Sequence, residues 1–152
     1  MSVWEGVDLP GFVAPLVAVT PQRRDALTAH LESVAPMAEH AADRPLPNDA
    51  PARPDDADRA AAACAACGGY CCRNGRDSAY LDAAAIAGVQ KKLPHLARDQ
   101  LVATYVDAVP DKSFEGSCIF HAAHGCNLPR GMRSPVCLAY YCGPLKEWLA
   151  GT

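Results

Sequence analysis

The chain has 152 residues, a formal net charge of −3 at pH 7, and a hydrophobic share of 50% to which aromatic residues contribute little, at 7%. That length suits one domain with a modest core, and an acidic balance without clustered Lys or Arg excludes a general nucleic-acid surface. With 13 prolines, 11 glycines and an alanine-rich apolar fraction, the core is thin and calls for a supplement such as bound metal or disulfides.

Residues 1–20 mix apolar residues with Pro10, Gly11 and Pro15, which reads as an extended arm laid over the domain. The first ten residues lack the basic start and long apolar run of a targeting signal. No segment approaches the roughly 18 uninterrupted apolar residues of a membrane span, so the expected location is cytoplasmic, with no membrane partner.

Thr20-Pro21 forms a helix start, because Thr can cap free backbone N–H groups and Pro is tolerated at the first helical position. Leu27, Leu31, Val34 and Ala38 follow at helical spacing, and Pro36 predicts an end or kink near Ala35. From Asp43 to Asp58 the chain is dominated by prolines and aspartates, with almost nothing to bury, and reads as a linker. The organisation is thus an N-terminal arm and helix (1–42), a linker (43–58) and a cysteine-cluster domain (59–152).

An alanine-rich helix is expected over residues 59–67, stopped by Gly68-Gly69. A second helix runs from Leu81-Asp82 to about Leu93, with Leu81, Ala85, Val89 and Leu93 on one stripe and Pro94 as the stop. A third spans about His95 to Ala108, carrying Leu101, Tyr105 and Val109 on one face. Helical periodicity then disappears between Asp111 and Met132, where Ser117–Phe120 and Asn127–Leu128 suit short extended pieces, with room for a hairpin. Ser134-Pro135 opens a last short helix, Gly143-Pro144 breaks it, and Leu145, Trp148 and Leu149 offer a small apolar face. The fold class is therefore mainly α: a small helical domain with irregular cysteine-rich metal-binding loops.

Eight cysteines fall into two groups, Cys64, Cys67, Cys71 and Cys72, then Cys118, Cys126, Cys137 and Cys142. In a reducing compartment, closely spaced cysteines read as metal ligands before disulfides. Soft thiolates select zinc, copper(I) and iron–sulfur clusters. Cys64 and Cys67, three apart, would share a helical face, whereas the adjacent Cys71-Cys72 pair would point to opposite sides of an extended backbone. The spacing leaves open two four-thiolate sites or one site with spare thiols. His121 and His124, between Cys118 and Cys126, suit loop histidines better than ligands. Arg23-Arg24, Lys91-Lys92 and Arg130 with Arg133 read as solvated faces or helix ends. No Ser-His-Asp set and no phosphate loop is present.

The run Cys64-x2-Cys67-x3-Cys71-Cys72-Arg73, then Ser117-Cys118-Ile119-Phe120, Gly125-Cys126-Asn127-Leu128 and Arg133-Ser134-Pro135-Val136-Cys137 resembles the YkgJ-like CxxCxxCC proteins, described as zinc- or iron-chelating. The resemblance covers roughly residues 60–143. It departs in having three residues between the second and third cysteines, in His121 after Cys-x-Phe, and in Ser134 within the usual Arg-Pro. The same pattern occurs in flagellin lysine N-methylases, for which this chain shows no room for a methyl-donor domain. The resemblance and the spacing together predict a small metalloprotein that holds zinc or an iron–sulfur cluster through cysteines of both groups, in an accessory or chelating role that leaves room for a protein partner. The competing expectations are an iron–sulfur-dependent enzyme of the methylase type and a thiol–disulfide redox protein.

Overall fold

The computed structural model describes residues 2–4, 7–9, 11–39, 63, 67–139 and 142–150. The expected linker 43–58, most of the helix over 59–67, Cys64, His40, Tyr140 and Tyr141 lie outside the described residues.

Three helices make the body. Helix α1 (Pro21–Ala38) starts where Thr20 accepts a hydrogen bond from the Arg23 N–H at 3.2 Å, and buries Leu27, Leu31 and Ala35, four residues apart. It does not stop at Ala35. Pro36 and Glu32, the residue whose carbonyl loses its helical N–H partner, are both exposed, so water can satisfy the freed carbonyl and the helix continues to Ala38.

Helix α2 (Ala83–Lys92) is capped by Asp82, whose carboxylate accepts from the Ala85 N–H at 2.9 Å. Lys91 and Lys92 stand in its last turn, favourable against the helix dipole. Helix α3 (Arg98–Asp107) is shorter than the sequence suggests, starting after His95. At its start the Gln100 side chain accepts from the Ala97 N–H at 2.8 Å. The Gln90 amide donates to the carbonyls of Leu93 and Leu96, stitching the α2–α3 connection.

Helix α1 packs on both α2 and α3, and their apolar stripes merge into one core that includes Leu27, Leu31, Leu81, Ile86, Val89, Leu101 and Tyr105. Ile119 and Phe120, from the cysteine-bearing loop, belong to the same core and are fully buried. Tyr105 donates its hydroxyl to the Met132 carbonyl at 2.6 Å, so its polar tip is satisfied inside the core.

The strands are short and antiparallel. β1 (Ser2–Trp4) pairs with β2 (Val7–Leu9), β3 (Leu16–Ala18) with β4 (Lys112–Phe114), and β5 (His121–Ala122) with β6 (Gly125–Cys126). The N-terminal arm is thus tied down: Leu16 faces Phe114 and Ala18 faces Lys112 in register, Val19 N–H donates to the Asp111 carbonyl, and Phe12 N–H donates to the Cys67 carbonyl at 3.0 Å. Ser117–Phe120 and Asn127–Leu128, expected to be extended, are not strands; the hairpin lies between them, with its two-residue turn at Ala123-His124 and His121 opposite Cys126.

After the short helix α4 (Pro135–Ala139), the chain forms a further helix, α5 (Gly143–Ala150). The sequence reading had Gly143-Pro144 only as a breaker. Pro is equally at home in the first turn of a helix, and Leu145 and Leu149, one turn apart, are buried against Ala63. Strand β2 runs beside α5. The fold is mainly helical with small two-stranded sheets.

Candidate metal centre

The first group of cysteines leads out of a sharp reversal. Gly68 (φ +78°) and Gly69 (φ +87°) both take left-handed backbone, which glycine adopts without steric cost. They feed a 3-10 turn, Tyr70–Asn74, that carries Cys71 and Cys72. This corrects the expectation of an extended pair. With three residues per 3-10 turn, neighbouring side chains diverge by about 120° rather than 180°, and the two thiols meet in a hydrogen bond to each other.

The loop after this turn is held by left-handed Arg76, Ala79 and Tyr80, a conformation that costs non-glycine residues free energy and is offset by local bonds. Tyr80 donates its hydroxyl to the Cys71 carbonyl at 2.8 Å. Ile119 N–H donates to the Arg76 carbonyl at 2.7 Å, and Cys118 N–H to the Cys72 carbonyl at 3.0 Å. These last two bonds bring the second cysteine group against the first.

Five thiols from three stretches of chain are linked by pairwise electrostatic interactions. Cys72 feels Cys71, Cys118 and Cys137; Cys118 feels Cys126 and Cys137; Cys137 feels Cys126 and Cys71. Cys118 is buried, Cys72 and Cys126 are half-buried, and Cys71 and Cys137 are exposed. Cys67 and Cys142 go elsewhere, packing with Trp148 on the small apolar cluster of Ala63, Leu145 and Leu149. The structure therefore regroups the cysteines. The sequence divides them by position into four and four, whereas the fold gathers Cys71, Cys72, Cys118, Cys126 and Cys137 and leaves Cys67 and Cys142 at the foot of α5.

The thiols differ in protonation. The hydrogen bond from Cys72 holds the Cys71 thiol down at about 7, against the opposing effect of burial. Cys72 is driven the other way by the same bond and by burial, so the pair retains one proton on Cys72. Burial pushes Cys118 up to about 12, although the Phe120 N–H, directed at its sulfur, and the charge of Arg23 work in the opposite sense. Burial likewise pushes Cys137 up to about 11, against Arg133 and the Ser134 backbone. Tyr80, pushed up to about 12 by burial and then by Cys71, stays a neutral hydroxyl beside the group.

A polar network that the sequence did not disclose braces the site from below. Arg23, read as part of a solvated face, donates Nε to Asp77 at 2.6 Å, one terminal N–H to Ser113 Oγ at 2.9 Å and another to the Ser117 carbonyl at 2.9 Å. Ser117 in turn bonds His121 Nδ1 at 2.8 Å. The other imidazole nitrogen is directed at the Gly68 carbonyl, so it bears the proton and Nδ1 accepts from the Ser117 hydroxyl. Phe12 and Phe114 flank the ring, with centroids 5.4 and 4.6 Å away. Burial lowers the His121 pKa and favours the neutral form. Both nitrogens are engaged, which makes His121 a strut of the fold. His124 is exposed at the hairpin turn, and His30 bonds the Leu81 carbonyl.

Thiolates are the donors soft metals take, and backbone groups bear on the sulfurs of Cys118 and Cys137. The spacing is looser than a chelate. Among the described residues, no three Cys, His, Asp or Glu side chains stand close enough together to hold one ion. No helix of the described residues is long and apolar enough to cross a membrane. No family model, curated protein or solved structure matches the chain.

Proposed function

We propose that the chain is a small cytoplasmic metalloprotein that binds zinc or an iron–sulfur cluster through cysteines of both sequence groups, in an accessory or metal-chelating role, and that its cysteine-rich loops are metal-binding loops of the YkgJ-like kind. The observation that carries this reading is the convergence of Cys71, Cys72, Cys118, Cys126 and Cys137 from three stretches of chain. Core packing accounts for Cys118, Cys72 and Cys126, which belong to or pack on the main core, but gives no reason for the exposed Cys71 and Cys137 to join them.

Binding requires the thiols to draw together and shed protons that burial otherwise keeps on Cys118 and Cys137. The direct test is anaerobic purification followed by metal analysis and a visible spectrum. Zinc at a fixed ratio to chain gives a colourless protein and an iron–sulfur cluster a brown one. Protein with neither metal at a definite ratio would sink the proposal.

A second reading, thiol–disulfide exchange, is favoured by one specific observation: Cys71 is exposed and hydrogen-bonded to the adjacent Cys72 thiol, which is the setting of an activated nucleophile. It predicts rapid alkylation of Cys71 in metal-free protein. Slow, uniform alkylation of all the thiols would remove it.

A further inference from the structure

Helix α3 carries two rows of apolar side chains. One, Leu101 and Tyr105, is buried in the core. The other is the row Asp99, Val102, Ala103, Val106 and Asp107, at positions i, i+3, i+4, i+7 and i+8 of the same helix. With Thr28 and Glu32 of α1, this row lines a groove of about 370 Å³. Val102, which also touches the core, and Val106 are half-buried, and Ala103 is exposed. The floor is therefore apolar and reaches water along the length of α3.

The charged groups lining the groove are all acids: Glu32, Asp99 and Asp107. All three are exposed, and none has an ion-pair partner among the described residues. The arginines at the two ends of the antiparallel α1–α3 pair are engaged elsewhere. Arg24 donates to the Pro110 carbonyl at 3.3 Å, and Arg98 is paired with Glu39. Asp107 stands in the last turn of α3, where a negative charge opposes the helix dipole. Helix stability does not account for its presence there.

We propose that the α1–α3 groove docks a basic amphipathic helix of a partner protein. Apolar side chains of that helix cover Val102, Ala103 and Val106, and flanking Lys or Arg side chains meet Asp99 and Asp107. The two aspartates are eight residues apart on α3, about 12 Å at the rise of an α-helix. The matching bases therefore stand seven or eight residues apart on the partner. A second copy of this chain is the wrong occupant. Paired antiparallel, Asp99 of one copy would face Asp107 of the other, and paired in parallel each aspartate would face itself; both arrangements set like charges together. The proposal goes beyond the metal and thiol readings and depends on neither.

The test titrates the full chain into two fluorescently labelled synthetic helices and reads anisotropy. The helices share one Leu- and Ala-based apolar face, flanked in one by Lys and in the other by Glu, eight residues apart. The expected result is binding of the Lys helix at least about tenfold tighter than the Glu helix at low salt, with the ratio falling towards unity at about 0.5 M salt. In Asp99→Lys/Asp107→Lys, two exposed positions, the preference should invert. Ala103→Gln keeps a good helix former but obstructs the floor, and should weaken the Lys helix at least about fivefold; circular dichroism checks that each variant is folded. No binding of the Lys helix up to about 1 mM, equal affinity for the two helices in the unmodified chain, or an unchanged preference in the charge-reversed variant overturns the proposal. So does a dimer of this chain in sedimentation that Ala103→Gln dissociates, since the groove would then belong to a second copy.

Discussion

The α-carbon of Gly69 sits against the imidazole of His121: a Cβ there would lie 2.7 Å from Nε2 and 2.9 Å from Cε1. The ring cannot retreat, because Ser117 holds its Nδ1 and Phe12 and Phe114 flank its faces. Gly69→Ala therefore adds a steric clash to the cost of a left-handed backbone, and should destabilise the metal-free chain by about 2–4 kcal/mol. Gly88 is the control. It lies inside α2 with nothing within 4 Å of a built Cβ, so Gly88→Ala should stabilise by about 0.5–1 kcal/mol. Urea denaturation of the two variants checks both signs.

Arg23 ties α1 to the cysteine-bearing part through Asp77, Ser113 and Ser117. Ser113 and Ser117 are fully buried, so Arg23→Ala strands their polar atoms and should cost about 2–4 kcal/mol. Arg24→Ala, next in sequence but holding one long bond to the Pro110 carbonyl at 3.3 Å, should cost less than about 1 kcal/mol. Equal losses in the two variants, read by thermal unfolding, would show that the three bonds of Arg23 do not set the difference.

The alkylation rate of Cys71 in metal-free protein should rise through pH of about 7, where its thiolate forms. In Cys72→Ala the hydrogen bond that lowers the thiol is gone, and the midpoint should move up toward the ordinary 9.0. The sign for stability follows. An acid whose pKa is depressed on folding stabilises the fold above its unfolded value, and that contribution is lost as the pH falls through about 7. A midpoint in the variant that stays near 7 would point to a cause other than Cys72.

His121 carries a pH dependence of its own. Burial lowers its pKa from 6.5, so the folded chain binds fewer protons than the unfolded one below that value, and stability should decline as the pH drops under about 6.5. His121→Asn, which loses the titrating group, should be less stable at neutral pH and should show a flatter stability curve between about pH 6.5 and 4.5. A parallel curve would assign the acid loss to other groups.

On the metal-binding reading proposed above, the regrouping of the cysteines divides candidate ligands from bystanders. Cys118→Ser and Cys137→Ser should each lower metal content or retention, whereas Cys142→Ser, at the foot of α5 with Trp148 and Leu145, should leave the metal of the five-thiol group in place and loosen α5. Metal stoichiometry and tryptophan fluorescence report the two effects. Unchanged metal in Cys137→Ser would confine any site to the first cysteine group.

The helical body was legible because each helix announces itself locally. Thr20 and Asp82 are caps, and Leu27 with Leu31, Leu81 with Ala85 and Val89, and Leu101 with Tyr105 repeat at helical spacing. The β3–β4 pairing was not, because three-residue strands carry no periodicity and Leu16 and Phe114 lie far apart in sequence. The approach of Cys71 to Cys72 depends on a 3-10 turn that no side-chain pattern encodes. Arg23 reads as one more surface arginine until its partners at 77, 113 and 117 arrive in space, and nothing near residue 23 signals them.

Those partners have a consequence for how the chain is made. Arg23 bonds residues 54, 90 and 94 positions further along. At a synthesis rate of about 5–20 residues per second, α1 waits about 5–20 s for Ser117. During that interval Cys71 and Cys72 have already emerged while Cys118, Cys126 and Cys137 have not. A nascent chain thus passes through a stage at which its first thiols have no sulfur neighbours from the second group, and whatever loads or oxidises them then acts before the fold can sort the cysteines.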